Sequence, residues 1–150
     1  MNEKKEYKYI SKSDALARLQ KYCAYQERSH HEVRMKLIEI GCYGLDLENV
    51  ICDLIEENFL NEQRFASTFA GGKFRLKKWG RIKIRQELKL KRVSPYCLKE
   101  AMEEISEEDY ADTMHTLLTK KARTVRAKNQ FEKRGKLARY MMQKLSLIHI

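Results

Sequence analysis

The sequence contains few of the residues that make tight turns or phosphate-binding loops. Only six glycines and one proline occur in 150 residues, fewer than the many turns of a β-rich protein would need. The Gly71-Gly72 pair is not followed by the Lys-Ser or Lys-Thr that completes a phosphate-binding loop. These shortages argue against a β-rich fold and against nucleotide chemistry.

Metal-ligand spacing is also missing. The cysteines lie 19, 10 and 45 residues apart, without a C-x-x-C pair, at Cys23, Cys42, Cys52 and Cys97. His30 and His31 are neighbours, whereas His115 and His149 are isolated. We therefore expect reduced thiols that pack as small apolar residues. We predict no metal site, no cofactor and no catalytic centre, because no nucleophile–base pair is apparent.

Long hydrophobic runs are absent too. No segment approaches the roughly 18 to 20 apolar residues that cross a bilayer. Residues 1–6 lack the apolar stretch of a secretory signal. The sequence predicts a soluble, cytoplasmic protein without a membrane partner, and we expect a monomer.

What the sequence does show is helical periodicity. An apolar stripe with the spacing of one helix face comprises Leu47, Val50, Ile51, Leu54 and Ile55. Asp46 is positioned to cap the start of this helix, and Asn58 can end it. A second stripe, at Leu98, Ala101, Met102 and Ile105, follows Ser94 as the N-cap and Pro95 at the first helical position.

The two stripes are related by a constant offset of 51 residues, which indicates an internal repeat. The same offset relates Val33, Arg34 and Leu37 to Ile84, Arg85 and Leu88. Ser29 and Glu32 form a capping box before the earlier of these helices, and Gly41 can close it. Ala15 and Leu19 match Phe65 and Phe69 with an offset of 50. This offset is one residue shorter than that of the other helices, and a single extra residue in a loop explains the difference.

We predict an all-α fold of tandem three-helix repeats in an elongated, curved arrangement. Residues 1–12 form an N-terminal tail, 13–60 the first repeat and 61–105 the second. Residues 106–150 form a third repeat that lacks its last helix, which the tail at 145–150 cannot replace. Its first helix is capped by Ser106 with Asp109 and carries Tyr110, Met114, Leu117 and Leu118; its second carries Leu137, Tyr140, Met141 and Leu145.

Positive charge is concentrated in the later repeats. The net charge is +10 overall, but −2 over residues 1–60, +7 over 61–105 and +5 over 106–150. Glu87 is the only acid between residues 73 and 92, and Glu132 is the only one between 120 and 139. A solvated helical face is one interpretation. The one-signed excess favours contact with nucleic acid or an acidic protein surface.

The candidate contact residues are cations that would neutralise phosphates or pair with acids. They are Arg75, Lys77, Lys78, Arg81, Lys83, Arg85, Lys89, Arg123, Arg126, Arg134 and Arg139. Trp79, within the first basic stretch, either stacks on a base or partner, or acts as a hinge residue that packs the second unit against the third; packing is favoured. The helix that follows Gly41 is acidic, which argues against a helix-turn-helix that binds a specific DNA sequence in the major groove.

Several core and motif residues carry separate expectations. Phe65, Phe69, Ile84 and Leu88 should be core residues because they recur in register with the apolar stripes. Arg64 is expected to form a salt bridge with an acid such as Glu57 or Glu62.

Each repeat carries a string of residues that forms a recognisable motif. The first repeat carries Ala15-Leu16-x-x-Leu19 and Ser29-x-x-Glu32-Val33-Arg34-x-Lys36-Leu37-x-x-x-Gly41. The second carries Phe59-Leu60-Asn61-Glu62-x-Arg64-Phe65-Ala66-x-x-Phe69, Lys73-Phe74-Arg75 and Trp79-Gly80-x-Ile82-x-Ile84-Arg85-x-Glu87-Leu88. The third motif is weaker, with Arg134-x-Lys136-Leu137-x-x-Tyr140-Met141. Together these motifs resemble the RecX family, regulators of the RecA recombinase. The Gly71-Gly72 pair departs from the helix formers usual in the family, at a cost of roughly 1 kcal/mol for each glycine.

The resemblance implies tandem three-helix repeats that bind in the groove of the RecA filament on single-stranded, and in some cases double-stranded, DNA. There, family members inhibit ATP hydrolysis, strand exchange and filament extension, and so modulate recombination and repair. The alternatives are a general nucleic-acid-binding helical protein without a recombinase partner, and a scaffold for other acidic proteins.

Overall fold

The computed structural model describes residues 9–146, and in this part of the chain the regular secondary structure is all α-helix. Its eight helices are α1 (Lys12–Tyr25), α2 (His30–Glu39), α3 (Gly44–Glu56), α4 (Glu62–Lys77), α5 (Arg81–Leu90), α6 (Pro95–Glu103), α7 (Glu107–Thr124) and α8 (Gln130–Ser146). None of the helices in this span is long and apolar enough to cross a lipid bilayer. Residues 1–8 of the expected N-terminal tail and 147–150 lie outside the described residues, as does the side chain of Leu145.

Two three-helix units follow one another, as the internal repeat predicts. In the first repeat (α1–α3) and in the second (α4–α6), each helix contacts the other two. Helices α2 and α5 are both ten residues long, and their first residues are 51 positions apart. The chain folds as tandem three-helix repeats, which confirms the predicted fold class.

Helix caps show why the sequence forms helices at these positions. Ser29, Ser94 and Ser106 each accept a hydrogen bond from the backbone N–H three residues later, as predicted. Gly41 and Arg92, 51 residues apart, both adopt left-handed φ values of 91° and 58° after the second helix of their repeats. Such a residue lets the chain turn away and satisfies the last helical carbonyls.

Two local predictions are wrong. Helix α3 begins at Gly44 after Tyr43, so Asp46 lies inside the first turn and does not act as the N-cap. It lies there near the positive end of the helix dipole, where a carboxylate is also favourable. Ile55, predicted as part of the apolar stripe of this helix, is 44% exposed. The side of α3 that faces the core is formed by the buried residues Leu47, Val50, Ile51 and Leu54.

Each repeat has its own hydrophobic core. The first core joins residues of α1, α2 and α3, among them Leu19, Leu37 and Leu54. The second contains Phe65, Ile84 and Leu88 as predicted, whereas Phe69 is only partly buried against it. Helix α4 passes through Gly71-Gly72 without interruption, so packing outweighs the low helix propensity of glycine.

The third unit packs onto the second core. Tyr110 and Met114 of α7 are buried in that core, and Leu117 and Met141 pack against it while partly exposed. Phe74 and Tyr110 are stacked, with ring centroids 5.8 Å apart. The joint between the second repeat and α7–α8 is therefore mainly apolar.

The joint between the first two repeats is polar. Their cores are separate clusters, and among the described residues two ion pairs connect the repeats. Arg64 pairs with Glu27, and Lys91 Nζ lies 2.8 Å from Glu32 Oε1. Arg64 also donates to the Asn58 carbonyl oxygen at 3.0 Å. Its carboxylate partner is thus Glu27, not the expected Glu57 or Glu62, because helix packing brings a residue 37 positions away alongside it.

Truncation of a core residue tests the repeat packing. Leu88 is fully buried and Leu90 is 73% exposed on the same helix. We expect Leu88→Ala to lower the free energy of unfolding by about 2–5 kcal/mol, since it leaves a cavity. Leu90→Ala should change it by no more than about 0.5 kcal/mol. Urea denaturation followed by circular dichroism measures both values, and equal effects would contradict the assignment of the second core.

Candidate functional site

The densest group of cations lies on the last turns of α4, on the α4–α5 connection and along α5. Helix α4 places Phe65, Ala66, Ala70 and Phe74 in the core. Helix α5 does the same with Ile82, Ile84 and Leu88. The basic residues between these positions are therefore directed away from the core. Those that are exposed are Arg75, Lys77, Lys78, Arg85 and Lys89.

Local geometry keeps the connection between α4 and α5 short. Lys78 caps α4 with a left-handed φ of 57°, a conformation that is uncommon for residues other than glycine. Gly80 precedes α5 without a side-chain cap, and the first turn of α5 contains no acid. The positive end of the α5 dipole thus lies beside the cations of the connection.

Few carboxylates neutralise this group. Of the eleven candidate contact residues, only Arg81 has a carboxylate within 4.0 Å among the described residues. Uncompensated like charges at this density repel one another and attract a polyanion.

Arg81 is the exception within the candidate set. Its guanidinium lies 2.9 Å from Glu107 Oε1 and 4.3 Å from the centre of the Tyr110 ring. Only 21% of its side chain is exposed. Burial raises the pKa of the Tyr110 hydroxyl above its ordinary value, and the neighbouring Arg81 partly offsets this. Arg81 therefore links the second repeat to α7 and is less accessible than its neighbours.

Trp79 packs within the second repeat. It is half-buried against the second core, and its ring centroid lies 6.2 Å from that of Phe69 in an edge-to-face arrangement. The ammonium of Lys83 lies 4.3 Å from the centre of the Trp79 ring. Trp79 therefore lies against Phe69 of α4, and the ammonium group of Lys83 lies beside its ring.

The third unit carries a second cationic surface. Arg123, Arg126, Arg134 and Arg139 are all exposed on α7, on α8 or on the connection between them. Glu132, the only acid between residues 120 and 139, is paired with Lys136 at 3.1 Å. Hydrogen bonds from Lys136 and from the Lys128 backbone lower the pKa of the Glu132 carboxyl below its ordinary range.

Sequence reasoning missed the residues that join the two repeats. Glu27 and Lys91 were not singled out, although they belong to the ion pairs of the joint. Glu32 stood out only in the capping box and in the family motif, and its 59-residue separation from Lys91 cannot be detected from local sequence patterns.

The four thiols differ in how far they are buried. No group of three or more His, Cys, Asp or Glu residues that could hold a metal ion exists within residues 9–146. Cys23 and Cys42 are buried, Cys97 is partly exposed and Cys52 is exposed. Burial raises the pKa of the Cys23 thiol from 9.0 to about 11 and also raises that of Cys42.

Comparison with known proteins identifies relatives of the chain. A family described as the RecX second three-helix domain matches residues 61–102. The regulatory protein RecX of Lactococcus lactis subsp. cremoris strain SK11 is 35% identical over 105 residues, which cover 69% of this chain and 39% of that protein. The regulatory protein RecX of Clostridium tetani strain Massachusetts is 29% identical over 143 residues, covering 93% of this chain and 63% of that protein.

A solved structure has the same fold. The crystal structure of RecX from Lactobacillus salivarius superposes with a TM-score of 0.80 at 20% identity, covering 89% of this chain and 86% of that one. The chain spans about two fifths of the length of the Lactococcus relatives, 39% in each of the two cremoris strains.

The exposure of the four thiols predicts how they react. At pH 8 we expect Cys52 to react fastest with a thiol reagent, while Cys23 and Cys42 stay protected until the protein unfolds. Mass spectrometry after timed alkylation measures the order, and Cys52→Ser should remove the fast phase. Early modification of Cys23 would contradict its placement in the first core.

Because burial raises the pKa of the Cys23 thiol in the folded protein, the contribution of this thiol to the free energy of unfolding is complete below about pH 9 and is lost as the pH rises towards 11.

Proposed function

We propose that this chain, which belongs to the RecX family of regulatory proteins, is a non-enzymatic regulator of the RecA recombinase. It binds in the groove of the RecA–DNA filament. Binding there inhibits RecA ATP hydrolysis, strand exchange and filament extension, and so modulates recombination and DNA repair.

The observation that carries this proposal is a set of exposed cations on α4, α5, α7, α8 and the connections α4–α5 and α7–α8 that have no carboxylate within 4.0 Å among the described residues. Nine of the eleven candidate contact residues are exposed: Arg75, Lys77, Lys78, Arg85, Lys89, Arg123, Arg126, Arg134 and Arg139. Long, uncompensated side chains can pair with phosphates along a strand and with acidic groups of a filament protein. The remaining two, Arg81 and Lys83, already contact Tyr110 and Trp79.

The arrangement of the repeats also suits a regulator. Successive helical units that pack only on their neighbours can follow an extended partner. The apolar joint between the second core and α7 holds both cationic surfaces on one packed body. These surfaces would bind and position a partner, since what they offer is exposed cations.

Charge reversal tests which cations act. We expect Lys77→Glu, Lys78→Glu and Arg85→Glu together to abolish inhibition of the RecA ATPase on single-stranded DNA, because attraction becomes repulsion. Arg81 is left intact, since its pair with Glu107 supports the joint with α7. The matched control reverses Arg18, Lys21 and Lys99, which are exposed outside the two basic stretches. Circular dichroism checks the helix content of both variants. Equal inhibition by both triple variants would show that the basic stretch is only a solvated face.

Ionic strength tests the electrostatic origin of binding. If six to ten phosphates are neutralised, the affinity for the filament should fall by roughly 10³ to 10⁵ between 50 and 200 mM salt. Fluorescence anisotropy with labelled DNA, with and without RecA, measures the slope. DNA binding that is equally tight without RecA, and that leaves the ATPase unaffected, would favour a general nucleic-acid-binding protein. Affinity that is independent of salt would rule out phosphate contacts.

A further inference from the structure

A cleft of about 350 Å³ separates the first repeat from the second. On the side of the first repeat its lining includes Gln26, Glu27 and Glu32; on the side of the second it includes Phe69, Lys73 and Lys91. The two walls differ in charge. Glu27 and Glu32 make the first wall acidic, although both pair with cations across the joint.

Aromatic rings lie beside the cationic wall. Phe69 lines the cleft, and Trp79 packs against it edge to face at 6.2 Å between ring centroids. Both side chains are only partly buried, so part of each ring remains accessible. Trp79 is the only tryptophan of the chain.

Two ammonium groups share these rings. Lys73 Nζ lies 4.9 Å from the centre of the Trp79 ring and 5.4 Å from that of Phe69. Lys83 Nζ lies 4.3 Å from the centre of the Trp79 ring. Neither lysine has a carboxylate within 4.0 Å among the described residues, whereas Lys91 is held by Glu32. The corner therefore combines accessible rings with two charges that lack counterions.

We propose that this corner, formed by Phe69, Lys73, Trp79 and Lys83, binds single-stranded nucleic acid. The phosphodiester groups contact Lys73 and Lys83, and an unstacked base packs against the exposed part of Trp79. Cations beside aromatic rings are the pattern by which proteins hold single strands without reading their sequence. The inference rests on the proposed function, in which the strand is the DNA of the filament, and it assigns the strand to the second repeat.

The chemistry favours a single strand over other anions. The bases of a duplex are stacked on one another and present no free face to a ring, whereas those of a single strand do. An acidic protein surface would use the two ammonium groups but not the rings. The wall of the first repeat offers Gln26 and two carboxylates that are already paired, and no lysine or arginine lines it, so the strand follows the side of the cleft that belongs to the second repeat.

Trp79 itself provides the measurement. The full chain is titrated, without RecA, with an oligo-dT strand, with an abasic strand of the same length and with poly-glutamate, while tryptophan emission is recorded. We expect oligo-dT to quench the emission and the abasic strand to bind with much less quenching. Poly-glutamate should cause little change. Absence of oligo-dT binding, saturated binding without quenching, or equal quenching by all three ligands would overturn the proposal.

Variants separate the contact from the fold. Lys73→Ala with Lys83→Ala should weaken oligo-dT binding by about tenfold or more at low salt, whereas Arg18→Ala with Lys99→Ala should have a clearly smaller effect. Trp79→Phe keeps a ring and should bind nearly as well as the parent, while Trp79→Leu keeps an apolar side chain but should bind more weakly. Equal binding by the two Trp79 variants, with unchanged circular dichroism, would contradict stacking.

The two proposals can fail separately. If the chain inhibits RecA but oligo-dT neither quenches Trp79 nor depends on Lys73 and Lys83, only the assignment of the strand to this corner is wrong. If oligo-dT quenches Trp79 and the chain does not affect RecA, the corner binds nucleic acid and the regulatory function is wrong.

Discussion

The exclusion of lysine and arginine from two small helical cores determines the surface of this protein. Each repeat can bury only one narrow apolar face of each helix, and in α4 and α5 those faces are filled by Phe65, Ala70, Ile84 and Leu88. Most of the basic residues between them then remain outside, where the scarcity of acids leaves them without a carboxylate partner among the described residues; Arg81, paired with Glu107, is the exception. Burial of apolar area stabilises the fold, and the same arrangement presents positive charge to a polyanion.

The two joints of the molecule differ in physical character. The first repeat is attached through the Glu27–Arg64 and Glu32–Lys91 pairs, which salt can weaken. Helix α7 is attached mainly through Tyr110 and Met114, which are buried in the second core and respond little to salt, and the Arg81–Glu107 pair adds an ionic contact. The second repeat and α7 thus form the more firmly packed pair, and both contribute cations to the proposed interface.

Much of the fold was predictable because it depends on local signals. The serine caps at Ser29, Ser94 and Ser106 mark where α2, α6 and α7 begin, Gly41 follows the end of α2, and the 51-residue offset relates α2 to α5. The predictions for Asp46 and Ile55 were wrong because a cap and a helix face depend on which of several suitable residues the tertiary packing selects. The presence of a basic surface was predictable from the scarcity of acids in residues 73–92 and 120–139. The engagement of Arg81 by Glu107 and Tyr110, and the pairing of Arg64 with Glu27, arise only when separate helices are brought together.

The central claim is that the chain acts on the RecA filament and not on DNA alone. The most direct test titrates the full chain into a RecA ATPase assay on single-stranded DNA and compares the inhibitory amount with the amount that coats the same DNA. The account predicts inhibition well below the coating amount, since a chain bound in the filament groove affects many RecA subunits. Inhibition that begins only when the DNA is covered, or no inhibition at all, would contradict it.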